Sequence, residues 1–347
     1  MRDGGSTVEG AAPSAPVDGH ARPRPTGADG AAPSTCLVVV GVLLALTGTA
    51  AAKDRTPAEW QGSLDVEEAW TDNLQSKPPP DRDEDWFTTF TAVVDRDQRK
   101  TRYTLSNVGV FVRGSVYARF PKFNYTELEG HGAFRLERTE LLLSYRYTPE
   151  RLLFDEEDDG GDDVFYVGNL LRTGLARRFG AQKEIDTRLL ALFDWRSFIP
   201  PDRGRSSFEP GVLGDLRYNR WTVFMPRLAL EYGSRNAVDN NYSRNDVKLT
   251  VGAQSLLPWW DLVVRGRYRS AWRLYTAPGP VSVNDNHGRD DDVQTFEIGV
   301  FIPILPVPGL QVGLRYAYQD GASTDPDHVF TSNEVGLSVT YGHVFQE

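Results

Sequence analysis

Apolar and polar side chains alternate along most of the chain after residue 60, and this period of two is the signature of β-strands. Residues 261–275, DLVVRGRYRSAWRLY, are the clearest example, because the even positions are mostly apolar or aromatic and four odd positions are arginine. Successive side chains of a strand point to opposite faces, so this segment has one apolar and one basic face. The same split recurs at 243–256 and 309–320. It predicts an antiparallel all-β fold.

Two architectures have strands of this kind, a soluble sandwich and a transmembrane barrel. The alternating segments commonly run for 12 to 17 residues. That is longer than the roughly 5 to 6 residues of soluble strands and fits transmembrane strands, which need about 9 to 11 residues plus their ends. Short connections such as 218–220 alternate with long polar ones such as 276–292, and tryptophans lie at the ends of segments. These features favour the transmembrane barrel.

The pattern gives thirteen strand candidates, whereas closed bacterial barrels have even numbers of strands. The candidates are 60–72, 84–95, 107–120, 131–147, 163–179, 184–199, 209–219, 221–235, 243–256, 258–275, 290–304, 309–320 and 328–346. A further strand at 99–106 would make fourteen, and treating 60–72 as a lead-in would make twelve. Fourteen is favoured.

The end of the chain, VGLSVTYGHVF, alternates apolar residues up to the aromatic Phe345 and is followed by Gln346 and Glu347. In this respect the chain resembles the porin-like outer-membrane β-barrel proteins of Gram-negative bacteria. The resemblance implies an up-and-down barrel in the outer membrane, in contact with its lipid and lipopolysaccharide. It also implies that Tyr341 and Phe345 belong to a C-terminal signal for the barrel-assembly machinery.

The N-terminal part of the chain differs from the rest. Residues 36–52 form an apolar run that ends in Ala50-Ala51-Ala52, as in a secretory signal peptide, although a membrane-anchoring helix remains an alternative. Residues 1–35 are rich in Ala, Gly and Pro and are interpreted as a disordered or mis-assigned extension. The barrel is therefore assigned to residues 53–347. The only cysteine, Cys36, lies in the apolar run, so no disulfide or cysteine metal site is expected in the barrel.

The arginines of the alternating segments indicate which face is inside. An arginine facing lipid at mid-membrane costs about 2–4 kcal/mol, so the basic faces must line the lumen. Assigning faces in this way places sixteen arginines and nine carboxylates inside. The predicted pore-lining residues are Arg113, Arg119, Arg227, Arg265, Arg267, Arg269, Arg273, Arg315, Glu231 and Glu297.

A basic lumen in a chain of net charge −10 predicts a passive channel or export conduit for anionic solutes or polymer. One alternative is a closed structural barrel filled by ion pairs. Another is an outer-membrane hydrolase with its site in the outer loops, where His287 and His328 lie near Asp285, Asp290 and Asp327. No cofactor motif is present, so neither a cofactor nor catalysis is expected. The acidic composition also makes a nucleic-acid partner unexpected.

An acidic loop at 155–163 provides candidate calcium ligands, namely Asp158, Asp159, Asp162 and Asp163. Hard cations prefer several carboxylate oxygens. Cation bridging to lipopolysaccharide phosphates and a simple hydrated loop are the alternatives.

Overall fold

The computed structural model describes ten stretches of the chain. They are residues 59–74, 84–97, 103–152, 165–180, 184–198, 203–219, 224–257, 262–276, 288–304 and 307–346. The predicted extension (1–35) and signal peptide (36–52) lie outside the described residues.

Fourteen antiparallel strands form within the described residues. They are β1 (Glu59–Thr71), β2 (Asp85–Asp97), β3 (Tyr103–Tyr117), β4 (Tyr125–Leu136), β5 (Thr139–Leu152), β6 (Phe165–Phe179), β7 (Ile185–Phe198), β8 (Ser207–Tyr218), β9 (Phe224–Ala237), β10 (Arg244–Leu257), β11 (Leu262–Tyr275), β12 (Asp290–Pro303), β13 (Leu310–Ser323) and β14 (Phe330–Gln346). Short 3₁₀ turns occur at Pro121–Phe123, Arg203–Arg205, Asn240–Tyr242 and Pro326–His328. In this part of the chain, no helix has the length and apolar character needed to cross a membrane.

The sheet closes on itself. Each strand pairs with its neighbours in chain order, and β14 pairs with β1 from Glu59↔Gln346 to Thr71↔Glu334. A closed sheet leaves no unpaired edge, so its backbone hydrogen bonds are satisfied without water. The predicted up-and-down barrel of fourteen strands is confirmed.

The two ends of the barrel differ in their connections. At the end where β1 begins and β14 finishes, connections contain two to six residues; at the opposite end they contain six to fourteen. We call these the turn end and the loop end. The predicted alternation of short and long connections is confirmed, and it is the arrangement of outer-membrane barrels, with short turns on the periplasmic side.

The predicted number of strands was right, but the predicted position of the fourteenth strand was wrong. The candidate 131–147 covers two strands, β4 and β5, which are joined by the two-residue turn Glu137-Arg138. The proposed extra strand at 99–106 is not separate, because Tyr103 already begins β3. The candidate at 60–72 is β1 and is needed to close the barrel.

The distribution of apolar and charged side chains is the reverse of that in a soluble protein. Large apolar residues are among the most exposed, with Leu189 and Leu314 both 59% exposed, whereas Asp246 is 4% and Asp215 is 6% exposed. Burial of charges is tolerated only when they are paired. The apolar side chains therefore face outward, where lipid would cover them, and the charged ones face the interior.

Candidate functional site: two cavities inside the barrel

A cavity of 1040 Å³ lies near the turn end, against β3 to β7. We call it the turn-side cavity. Its charged lining consists of six arginines, four carboxylates and one histidine: Arg135, Arg138, Arg172, Arg177, Arg178, Arg188, Glu129, Glu137, Glu140, Asp186 and His131. Arg177 lies on the outward face of β6, with its guanidinium 5.1 Å from the ring of the exposed Phe179, so five arginines and four carboxylates face the lumen. With the histidine neutral, the excess inside is one positive charge.

Some of these arginines are held by carboxylates. Glu129 lies 3.1 Å from Arg172 and 2.8 Å from Arg146, so one carboxylate bridges two guanidinium groups on β5 and β6. Arg135 and Glu140 pair at 2.7 Å across the turn between β4 and β5. Arg138 and Arg178, by contrast, form no ion pair with any described residue, so their charges are available to a solute.

A histidine–carboxylate bridge crosses one strand in this region. The His131 Nε2 of β4 lies 2.6 Å from the Asp95 Oδ1 of β2, and Gly109 of β3 lies between them. A Cβ at position 109 would lie 1.9 Å from the Asp95 oxygen and 2.5 Å from the histidine nitrogen. The bridge therefore requires glycine at this position. Sequence reasoning missed it because the partners are related by register across strands.

A second cavity, of 380 Å³, lies between the middle of the barrel and the loop end. We call it the loop-side cavity. Its lining comes from β1 to β4 and from β11 to β14, and includes the predicted residues Arg113, Arg267, Arg315 and Glu297. Arg113 on β3 and Arg315 on β13 thus face one space although three strands separate them in the wall. The structure brings together four of the ten predicted pore-lining residues here.

An ion-pair network occupies the β11 to β1 side of this cavity. The Arg315 Nε donates to Glu67 Oε1 at 2.6 Å, and its Nη2 donates to Glu334. Arg267 pairs with Glu297, which also lies 3.8 Å from Arg315. These arginines are held by their carboxylates.

The other predicted pore-lining residues on strands belong to β9 and β11. Arg227 pairs with Asp215 at 2.8 Å, and Glu231 pairs with Lys248 at 2.8 Å. Arg265 donates to Gln254 at 3.1 Å and lies over the ring of Phe301. Arg269 and Arg273 share the face of Arg267 because strand alternation places odd positions of β11 together.

The prediction that Arg119 lines the pore was wrong. It assigned Arg119 to a strand at 107–120, but β3 ends at Tyr117. Arg119 lies in the following loop, pairs with Glu84 at 2.8 Å, and has a side chain that is 59% exposed. The buried carboxylate of Asp85 accepts hydrogen bonds from the backbone N–H groups of Arg119 and Phe120, which turns the chain away from the strand direction.

The carboxylates of the wall were undercounted from the sequence. Glu67, Glu127 and Glu129 all pair with arginines that face the interior. Glu67 could have been found by the alternation in 60–72. The two on β4 were missed because 125–130 (YTELEG) has a single large apolar side chain on its outward face.

Four arginines at the loop end are buried; Arg235 was among the sixteen assigned to the lumen, whereas Arg205, Arg244 and Arg289 were missed. Arg205, Arg235, Arg244 and Arg289 are each at most 7% exposed. Arg244 donates to the Tyr275 hydroxyl at 2.9 Å, and Arg289 lies over the same ring and pairs with Asp291 at 2.8 Å. These contacts fill the lumen side of β8 to β12 near the loops.

The predicted loop sites are largely untested. His287, Asp285 and the calcium candidates Asp158, Asp159, Asp162 and Asp163 lie outside the described residues. His328 lies 3.2 Å from the buried Asp325. Among the described residues, no group of three or more His, Cys, Asp or Glu side chains is arranged to hold a metal ion. Tyr341 points outward and is 41% exposed; for Phe345 only the backbone pairing with Trp60 is described.

No protein-family model and no curated protein matches this chain. Several solved structures match weakly. A loop-deletion mutant of OmpT, an outer membrane protein of Vibrio cholerae, is 10% identical with a TM-score of 0.46, over 82% of this chain and 99% of that chain. The outer membrane protein OpdK of Pseudomonas aeruginosa is 9% identical with a TM-score of 0.41, over 82% and 99%. Acinetobacter baumannii OccAB3 is 11% identical with a TM-score of 0.42, over 83% and 99%.

Such distant matches carry no argument about the function of this chain. The closed sheet, the outward apolar side chains and the alternating connections define its class by themselves. The chain is a β-barrel of the Gram-negative outer-membrane type. Contact with membrane lipid follows directly from its apolar outer face.

Proposed function

We propose that this protein is a passive outer-membrane channel that favours anionic solutes or an anionic polymer. The observation that supports this most directly is the turn-side cavity, where five inward-facing arginines meet four carboxylates and two of the arginines, Arg138 and Arg178, form no ion pair with a described residue. Rings of arginine favour anions in pores. The proposal includes no chemical step, so we expect purified protein to lack hydrolase activity.

Unpaired arginines refine the proposal. Arg113 and Arg269 face the interior without an ion pair to any described residue, whereas Arg267 and Arg315 are neutralised by glutamates. An unpaired guanidinium can bind a carboxylate or phosphate through two parallel hydrogen bonds. We therefore assign the attraction of anions to Arg113, Arg269, Arg138 and Arg178 rather than to the paired residues.

The same proposal covers the partners. Outside the barrel we expect lipopolysaccharide around the loop end. We also expect recognition of Tyr341 and Phe345 by the barrel-assembly machinery during insertion.

Conductance in planar bilayers tests the proposal. The reconstituted protein should conduct with anions preferred over cations, and Arg113→Gln combined with Arg269→Gln should lower the anion-to-cation permeability ratio about twofold to fivefold. Arg119→Gln combined with Arg203→Gln removes two loop arginines and is the matched control. Cation preference in the unmodified protein would contradict the proposal.

A closed structural barrel is the second candidate. It is favoured by the buried arginines Arg205, Arg235, Arg244 and Arg289, whose contacts fill part of the loop end. Complete absence of conductance from correctly folded protein would support this candidate over the channel.

A further inference from the structure

The loop-side cavity has two electrostatically unlike sides. On the side formed by β2 to β4, Arg113 points into the cavity and forms no ion pair or hydrogen bond with any described residue. The hydroxyl groups of Thr89 and Ser115 beside it bond to each other at 2.8 Å and are buried. This side therefore presents one uncompensated positive charge.

The opposite side has the reverse imbalance. Three carboxylates, Glu67, Glu297 and Glu334, share only two guanidinium groups, those of Arg267 and Arg315. One carboxylate charge is therefore uncompensated near Arg315, which lies within ion-pair distance of all three glutamates. The residues that line the cavity are therefore neutral as a set but strongly polarised, and the unpaired Arg269, two residues beyond Arg267 on the same face of β11, is not part of this lining.

Aromatic side chains line the part of the cavity nearest the loops. Phe87 and Tyr117 stack with ring centroids 5.1 Å apart, and Tyr125 lies beneath the guanidinium of Arg151 at 4.2 Å. All three aromatic residues line the cavity. Stacked rings offer an apolar surface to a solute whose charged groups are bound elsewhere.

We propose that the loop-side cavity recognises small zwitterions with an apolar or aromatic side chain, of the size of an amino acid. The carboxylate of the solute would pair with Arg113, its ammonium group with the surplus carboxylate around Glu297, and its side chain with the rings. A simple anion satisfies Arg113 but then lies near the surplus negative charge. The volume of 380 Å³ lies within the range of about 300–1000 Å³ that is common for small-molecule sites.

This inference rests on the proposed channel but is tested by binding, independently of conduction. Isothermal titration calorimetry of the full-length barrel would compare phenylalanine with N-acetylphenylalanine, which is an anion, and phenylalaninamide, which is a cation. Phenylalanine should bind most tightly, and glycine, which lacks the ring, more weakly. Because a hydrogen-bonded charge is lost, Arg113→Gln should weaken the binding of phenylalanine and of N-acetylphenylalanine about tenfold.

Glu297→Gln gives the sharper result. It should weaken phenylalanine and phenylalaninamide but strengthen N-acetylphenylalanine, because Arg267 is then released. The controls Arg119→Gln and Glu84→Gln carry the same charge changes in a loop and should have no effect. Circular dichroism checks that each variant retains its strand content.

Equal affinity for the three ligands, or Arg113→Gln with unchanged affinity for phenylalanine, would overturn this inference even if the barrel conducts anions. Tight zwitterion binding by a barrel that conducts nothing would support the inference and contradict the proposed channel. The two failures are therefore distinguishable.

Discussion

The two cavities contain the same residue types but use them differently. In the turn-side cavity inward-facing arginines outnumber carboxylates by five to four, and Arg138 and Arg178 have no carboxylate partner among the described residues. In the loop-side cavity three arginines meet three glutamates, and only Arg113 is unpaired. The first cavity therefore has a net charge, whereas the second has an internal dipole.

This difference shows that the number of arginines in a pore wall does not by itself indicate selectivity. An arginine held by two carboxylates, such as Arg315, contributes mainly to the stability of the wall. An arginine without a partner contributes its full charge to the lumen. Pairing therefore decides which arginines act on a solute.

Reversing the charge of the turn-side cavity should have the largest effect. Arg138→Glu combined with Arg178→Glu changes the inward-facing lining from five arginines and four carboxylates to three arginines and six carboxylates. We expect the reversal potential in a KCl gradient to change sign, because cations become the favoured ions. The matched control is Arg119→Glu combined with Arg203→Glu, in the loops. An unchanged sign would mean that this cavity does not control selectivity.

Removing a paired arginine should instead cost stability. Arg315→Ala leaves Glu67 and Glu334 without their shared partner, and we expect the free energy of unfolding to fall by about 1–3 kcal/mol. Arg178→Ala, which breaks no ion pair with a described residue, should change it by about 0.5 kcal/mol or less. Urea unfolding followed by circular dichroism in lipid vesicles measures both. Equal losses would contradict the distinction between paired and unpaired arginines.

Salt should affect the two cavities to different degrees, and this is the smallest expected effect. Raising KCl from 0.1 to 1 M shortens the Debye length from about 10 Å to 3 Å. The anion preference, which depends on unpaired charges, should therefore decline towards unity. Zwitterion binding in the loop-side cavity should weaken less, since it depends on direct contacts. Permeability ratios and calorimetric affinities at both salt concentrations test this comparison.

Much of the fold could be predicted from the sequence because alternation and connection length are local properties. The error at 131–147 has a local cause as well. The turn Glu137-Arg138 contains no Gly, Pro or Asn, although Glu137 adopts a φ of 56°, a conformation that usually favours such residues. Nothing in the residue types marks a reversal of the chain there, so two strands were interpreted as one.

The site could be predicted only in part. Alternation identified Arg113, Arg267 and Arg315 as facing inward, but it could not show which of them are neutralised. That depends on register between strands, as with Glu67 of β1 and Arg315 of β13, which are separated by β14. The bridge from Asp95 to His131 across Gly109 depends on register in the same way.

Pairing of β1 with β14 makes the barrel depend on a seam between distant parts of the chain. If β14 were removed by truncation, one edge of β1 and one edge of β13 would be left unpaired in hydrocarbon, where each unsatisfied backbone group costs several kcal/mol. Insertion can therefore be completed only after the last strand has reached the first.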